Sequence, residues 1–151
     1  MTGVTQSGIE IDRTTEASPE AVFDALSEAA SFARWFGGTD VEVPADRLDF
    51  EAAEGGSWRA TMVLPDGNAL DWAGSFVRVE RPSRFDFTLT DAPGEGAAEA
   101  LVTVGIFPAD GGAALHMTQD TPGFPHEQKV ATLAGWQVFL DEALRIAEER
   151  D

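Results

Sequence analysis

One long amphipathic helix, predicted from about His126 to Glu149, follows a stretch of the chain that is dominated by strand patterns. An antiparallel sheet normally buries one face, and this is the one long helix available to cover it. The sequence therefore predicts an α+β fold in which the helix lies across a curved antiparallel sheet of about six or seven strands. The apolar residues that recur at helical spacing are Val130, Leu133, Trp136, Leu140, Leu144 and Ala147.

The strand patterns between residues 39 and 121 are separated by short groups of turn-forming residues. These groups are EGG, PDGN, RPS, APGEG and ADGG, which are typical of hairpin connections. A meander is the simplest topology for such an order. The predicted strand segments are 40–54, 57–64, 69–80, 83–91, 100–109 and 113–120. The first of them is either two short strands or one strand that Pro44 interrupts.

A strand and two short helices are predicted before this sheet. The segment GIEIDRTTEA alternates apolar and polar residues, as a half-buried strand does. Ser18 and Pro19 then suit the N-cap and the first position of a helix, and a second short helix ends at Gly37 and Gly38. Since there is no internal repeat and no linker-like segment, residues 1–151 are predicted to form a single domain.

Composition excludes several classes of function. The formal charge of -17 repels nucleic acids and anionic membranes, and no apolar run is long enough to span a bilayer. The chain has no cysteine, and its two histidines, His116 and His126, have no metal-binding spacing. We therefore predict no cofactor, no metal, no nucleic-acid partner and no membrane insertion. Without a visible secretory signal, a cytoplasmic location is expected.

Several motifs occur in an order that resembles a known superfamily. They are ASPEAVFDAL, RWFGG, GGSWRATM, WAGSFVRVERPSRFDFT and GWQVFLDEAL. Together they resemble the START-like superfamily, also called SRPBCC, and within it the bacterial branch of the AHSA family, which is named after the activator of heat-shock-protein ATPase. The resemblance extends from Ile9 to about Ala147 and implies a helix-grip fold. It also implies an elongated cavity between sheet and helix, which relatives use for hydrophobic or aromatic small molecules.

The candidate cavity residues are mostly large and apolar. Alternation places Trp58, Ala60 and Met62 on one face of their strand, and Trp72 and Phe76 on one face of theirs, without indicating which face is inward. A filled core is the alternative for all of them. The full set of ligand-binding candidates is Trp58, Met62, Trp72, Phe76, His116, Trp136 and Leu140.

Gly135 and Trp136 are adjacent in the predicted C-terminal helix, where a glycine costs about 1 kcal/mol relative to alanine. One interpretation is that Gly135 lets a ligand or strand approach the helix backbone while Trp136 reaches into the cavity. The other is that Gly135 makes room for a bulky sheet residue and Trp136 fills the core.

His116 is the sharpest polar feature, because it lies within a strand between apolar residues. If it points into the cavity it can bind a ligand or act as a general acid or base. The alternative is a solvent-facing or internally paired histidine. No nucleophile is recognisable, since no serine lies in a GxSxG setting, so no catalytic residue is assigned.

Three functional hypotheses follow. The first is a non-enzymatic protein that binds a small hydrophobic or aromatic molecule between sheet and helix. The second is an enzyme of the aromatic cyclase or hydratase type that uses the same cavity. The third is a chaperone-associated protein-interaction module, which requires an exposed apolar or charged patch. The chain is expected to be a monomer or a homodimer.

Overall fold

An antiparallel sheet and one long helix account for most of the computed structural model, which describes residues 2–38, 40–93 and 99–150. The strands in these ranges are β1 (Gly3–Val4), β2 (Gly8–Thr15), β3 (Leu48–Phe50), β4 (Ser57–Val63), β5 (Ala69–Glu80), β6 (Arg84–Leu89), β7 (Ala100–Ala109) and β8 (Gly112–Asp120). The helices are α1 (Pro19–Ser27), α2 (Ala29–Trp35) and α3 (His126–Arg150), with a 3-10 turn at Ala45–Arg47.

Strands β3 to β8 form a meander, and β2 pairs with the last of them, β8. The order of the sheet is β1-β2-β8-β7-β6-β5-β4-β3, and every neighbouring pair is antiparallel. β1 and β3 are the two edges, so the sheet is curved but not closed into a barrel. The predicted α+β class, the meander and the helix-grip arrangement are confirmed. The described strands number eight, one more than predicted, because the two-residue edge strand β1 was not recognised in the sequence.

The predicted strand segment 40–54 is only partly extended. Glu42 forms an isolated bridge to Val63, and regular pairing resumes only at Leu48. Between them Pro44 precedes the 3-10 turn and supplies no backbone N–H to a ladder. The interruption at Pro44 is therefore confirmed, and the strand that follows it is shorter than expected.

The two short helices fill one end of the sheet with aromatic side chains. The Ser18 hydroxyl accepts a hydrogen bond from the Ala21 N–H at 3.1 Å, so the predicted N-cap of α1 is confirmed. On α2, Phe32 is buried and its ring lies 4.7 Å from the ring of Phe50 and 5.3 Å from that of Trp58, centroid to centroid. This end of the sheet is consequently a filled core.

The two halves of α3 have different environments. None of residues 126–135 is buried, whereas the second half contributes Trp136, Leu140, Ala143, Leu144, Ile146 and Ala147 to the core.

Polar contacts also differ along α3. The second half is tied to β2 by Arg13, whose Nε lies 2.9 Å from Asp141 Oδ1, and by Thr15, whose hydroxyl lies 2.6 Å from Glu148 Oε2. Near its start, Lys129 Nζ donates to the carbonyl oxygen of Gln6 at 2.9 Å. Among the described helices, none is both long and apolar enough to cross a membrane.

The Asp24–Arg81 pair gives a pH-dependent prediction. Arg81 donates two hydrogen bonds of 2.9 Å to the Asp24 carboxylate, and these hydrogen bonds, aided by the charge of the guanidinium, hold the pKa of Asp24 below its ordinary value. A carboxylate whose pKa is lowered by folding stabilises the protein above its unfolded pKa of about 3.9 and loses that contribution as the pH falls towards the folded value. Because Arg81 is half-exposed, the effect is small.

We expect Asp24→Asn to lower the free energy of unfolding at about pH 7 by roughly 0.5–1 kcal/mol. The difference from wild type should narrow as urea unfolding is repeated at pH values further below the unfolded pKa of about 3.9, because protonation of Asp24 removes the ion pair. Asp110→Asn, in the exposed turn between β7 and β8, is the matched control and should change little at any of these pH values. An Asp24→Asn effect that is independent of pH would contradict the ion-pair explanation.

Candidate functional site

A cavity of about 480 Å³ lies between the first half of α3 and the face of the sheet that packs against this helix. The sheet supplies one lining residue each from β5, β6, β7 and β8, and the loops after β6 and β8 supply the rim. The lining residues are Phe36, Trp72, Leu89, Thr90, Asp91, Ala100, Gln119, Pro122, Phe124, Gln128, Thr132, Gly135, Trp136 and Phe139. Asp91, Pro122 and Gln128 are exposed, so the cavity opens to solvent between the two loops and the start of α3.

Four aromatic rings form a continuous wall of this cavity. The ring of Phe36 lies 5.6 Å from that of Trp72 and 5.8 Å from that of Phe139, and Phe139 lies 5.4 Å from Trp136, measured between centroids. Rings at these separations and inclinations stabilise one another beyond their burial. The wall is therefore a fixed apolar surface and not a set of independent side chains.

Gln119 is a polar side chain on the buried face of β8. It shares that face with Leu115 and Met117, and its Oε1 accepts a hydrogen bond from Trp136 Nε1 at 2.5 Å. An indole nitrogen can only donate, so the carbonyl end of the amide must face Trp136. The amide NH₂ is consequently turned away from Trp136, on a side chain that lines the cavity.

Trp72 differs from the other three tryptophans in its hydrogen bonding. The indole nitrogens of Trp35 and Trp58 donate at 3.0 Å to the carbonyl oxygens of Ala25 and Thr88. Trp72 Nε1 is buried and has no partner among the described residues. An unsatisfied buried donor costs about 1–3 kcal/mol, so the indole of Trp72 is placed by its ring packing and not by a hydrogen bond.

The cavity has an acidic rim and no basic side chain. Among the described lining residues, Asp91 is the one ionisable group, and no lysine, arginine or histidine is present. No cluster of three or more potential ligands in the described ranges could hold a metal ion. The electrostatics of the site therefore oppose an anion inside it.

Gly135 faces open space. A Cβ atom built on it would meet no other atom within 4 Å, and the residue lines the cavity. The interpretation that Gly135 makes room for a bulky sheet residue is wrong, because no such residue approaches it. The missing side chain instead widens the cavity on the helix side.

Residues 16–147 match the sequence model of the Activator of Hsp90 ATPase homolog 1-like protein family, AHSA1. The chain belongs to this family. The resemblance seen in the sequence motifs is thereby confirmed, and the helix-grip geometry of this AHSA1 chain agrees with it. No curated protein is similar enough in sequence to give a match.

Solved bacterial structures share the fold over nearly their whole length. The AHSA1 protein from Silicibacter pomeroyi is 28% identical, with a TM-score of 0.79 over 93% of this chain and 97% of its own. A protein from Chromobacterium violaceum is 20% identical, with a TM-score of 0.81 over 95% and 99%. A protein from Staphylococcus epidermidis is 19% identical, with a TM-score of 0.82 over 100% and 95%.

Two of the seven predicted cavity residues, Trp72 and Trp136, line the cavity of this AHSA1 chain. Four others are buried in the filled core, which was the alternative left open for them. Aromatic residues of α2 and β3 pack against this end of the sheet; for example, the ring of Phe50 lies 5.1 Å from that of Phe76. These four residues are Trp58, Met62, Phe76 and Leu140.

His116 does not reach the cavity. It alternates with the buried Leu115 and Met117 and therefore projects from the opposite face of the sheet, where its side chain is 40% exposed. Its Nδ1 lies 2.7 Å from Asp12 Oδ1, on the neighbouring strand β2. The interpretation of His116 as a cavity residue or internal acid–base group is wrong for this reason.

Several lining residues were missed by the sequence analysis. Gln119 could have been recognised from the sequence. It lies two residues after Met117 and four after Leu115, hence on the same face of β8, and it is polar where they are apolar. No sequence pattern indicated the loop residues Asp91 and Phe124, because their position depends on how α3 lies over the sheet.

Gly135→Ala tests whether this position is kept open at the expense of helix stability. We expect the free energy of unfolding to rise by up to about 1 kcal/mol, because alanine is the better helix former and its methyl group meets nothing. Thermal or urea unfolding measures the change.

Gly74→Ala on β5 is the contrasting variant, since its Cβ would lie 1.8 Å from the Thr88 carbonyl oxygen. This change should destabilise the protein strongly. If Gly135→Ala were also destabilising, the space beside Gly135 would not be open in solution.

Proposed function

We propose that this AHSA1 protein binds a small hydrophobic or aromatic molecule in the cavity between α3 and the sheet, without transforming it. The observation that supports this best is the cavity itself. Its volume of about 480 Å³ falls within the range of roughly 300–1,000 Å³ that is usual for small-molecule sites. Its wall of Phe36, Trp72, Trp136 and Phe139 offers flat apolar surfaces to a ligand.

The arrangement of polar groups also favours a binding site. Small-molecule sites combine apolar walls with a few fixed polar groups that orient the ligand. Here Gln119 is held in place by Trp136, and the hydroxyl group of Thr132 is bonded to the Gln128 carbonyl oxygen at 2.9 Å. Such fixed groups select a ligand without reorganising when it enters.

Catalysis of the cyclase or hydratase type has less support. Such a reaction needs a group that donates or accepts a proton beside the bound molecule. His116 projects from the other face of the sheet, and Asp91 is the one ionisable side chain among the described lining residues. We therefore propose binding as the function of the cavity.

A chaperone-associated role, which the family description suggests, also has less support. An apolar docking patch, one of the two kinds that this hypothesis allows, requires contiguous exposed apolar surface. The large apolar residues that are exposed in the described ranges lie on three separate elements: Val77 on β5, Leu101 and Phe107 on β7, and Val130 and Val138 on α3.

The proposal is tested by filling the cavity from the helix side. Gly135→Leu places a side chain in the open space beside the helix and should weaken ligand binding by about tenfold or more, since ligand and side chain compete for one volume. Ala134→Leu adds the same side chain one position earlier, where the helix is exposed, and should leave affinity unchanged.

Binding is measured by titration of the intrinsic fluorescence, which arises from four tryptophans in a chain without tyrosine. The panel contains fatty acids, flavonoids, sterols and aromatic polyketides. A saturable response that Gly135→Leu abolishes and Ala134→Leu retains would support the proposal. No response to any member, or equal responses of both variants, would contradict it.

A further inference from the structure

Asp91 lies at the mouth of the cavity, next to one of the aromatic residues of its lining. Ala73 of β5 and Thr90 exchange two backbone hydrogen bonds, of 3.1 and 2.8 Å, in an antiparallel bridge. In antiparallel pairing the residue after one partner lies beside the residue before the other, so Asp91 follows at the level of Trp72. Both residues line the cavity, and Asp91 is exposed. A carboxylate at the boundary with water is therefore combined with an aromatic lining.

Acidic residues also predominate in the segments that form the mouth. Three carboxylates are chain neighbours of lining residues: Glu99 precedes Ala100, Asp120 follows Gln119, and Glu127 precedes Gln128. Since the whole chain carries -17 as well, the potential at the mouth is negative.

The basic residues close to the mouth are fewer. His126 and Lys129 lie in the first turn of α3, and neither lines the cavity. The Lys129 ammonium group donates to the carbonyl oxygens of Thr5 and Gln6 at 3.1 and 2.9 Å, so it is held away on the side of β1 and β2. Asp91 is thus not neutralised by a basic group of the described lining.

The uncharged part of the lining accepts a cation more readily than an anion. Aromatic rings carry partial negative charge on their faces and attract ammonium groups, whereas they give an anion no compensation. The polar residues Thr90, Gln119, Gln128 and Thr132 all have an oxygen that can accept a hydrogen bond. The two amides can also donate, but a neutral donor does not cancel a full negative charge. The aromatic lining residues are Phe36, Trp72, Phe124, Trp136 and Phe139.

We propose that the cavity binds an organic cation, with its apolar or aromatic body inside and its ammonium group at the mouth beside the Asp91 carboxylate. This inference rests on the proposed binding function and specifies the ligand class for the same cavity. Because Asp91 is exposed, the ammonium group keeps part of its hydration there and avoids the penalty of burying a charge. The site thereby separates hydrophobic amines from fatty acids, which carry the opposite charge.

Three naphthalenes that differ in the charge of one substituent test the selection. The probes are 2-naphthylmethylamine, which is an ammonium ion at pH 7, 2-naphthylmethanol, which is neutral, and 2-naphthoate, which is an anion. Dissociation constants are measured by calorimetry at low ionic strength. The ammonium probe is expected to bind at least about threefold more tightly than the alcohol, as for one partly exposed charge pair, and the carboxylate more weakly than the alcohol. Added salt should reduce both differences.

Asp91→Asn removes the charge at the mouth and keeps the shape of the side chain. In this variant the ratio of the alcohol and ammonium dissociation constants should fall by at least about twofold. Since the ratio compares two ligands on one protein, a general change in stability cancels from it.

Asp110→Asn is the matched control, because it removes one negative charge from an exposed turn far from the cavity. This turn lies at the opposite end of β7 from Ala100, and a ten-residue strand is roughly 30 Å long, well beyond the screening length of about 10 Å at 0.1 M salt. The ratio should stay at the wild-type value in this variant.

Each result has a defined meaning. If the wild type binds the ammonium probe no more tightly than the alcohol, or binds the carboxylate most tightly, the inference is overturned and the binding function stands. A ratio that is unchanged in Asp91→Asn, or that falls equally in Asp110→Asn, would overturn the placement of the ammonium group at Asp91. Binding of none of the three probes would count against the proposed function itself.

Discussion

The packing of the second half of α3 against the sheet is the interaction on which the rest of the structure depends. Leu140, Ala143, Ile146 and Ala147 are all but inaccessible to solvent there, and removing apolar surface from water stabilises the fold by about 25 cal/mol per Å². This contact sets the position of the whole helix, because a helix is a rigid element over a few turns. The first half is thereby held above the sheet without burying any residue of its own.

The inward face of the sheet is divided into a filled part and an empty part. Over β3 and β4, aromatic residues of α2 approach so closely that rings such as Phe32 and Trp58 lie 5.3 Å apart. Beside residues 128–135 of α3 the cavity remains, and Gly135 contributes no side chain to fill it. The second half of α3 fixes the position of the helix, and the first half, with Gly135 on the cavity side, leaves part of the space above the sheet unfilled.

The fold was predictable from the sequence because periodicity reports which residues share a face. Alternation correctly grouped Trp58 with Met62, and Trp72 with Phe76, and the caps of α1 followed from Ser18 and Pro19. The site was less predictable, since a side chain on the inward face of a sheet can meet either packed atoms or empty space. Which of these applies to Trp58 and which to Trp72 depends on where α2 and α3 lie, and this is decided by contacts distant in the sequence.

Strand β8 shows the same limit of prediction from sequence. His116 and Gln119 lie three positions apart, so they occupy opposite faces, and only the apolar neighbours Leu115 and Met117 indicate which face is inward. His116 has the more familiar functional chemistry, yet Gln119 is the residue that lines the cavity. The face on which a polar residue lies was more informative than the kind of residue.

The unequal anchoring of α3 has a kinetic consequence. Hydrogen bonds in a segment with little buried surface open locally at a free energy well below that of global unfolding. The first turns of α3, secured near their start by the Lys129 contacts to the Thr5 and Gln6 carbonyl groups, form such a segment beside the solvent-open rim of the cavity. Local opening of these turns is therefore expected to widen the existing entrance of the cavity without unfolding the rest of the protein.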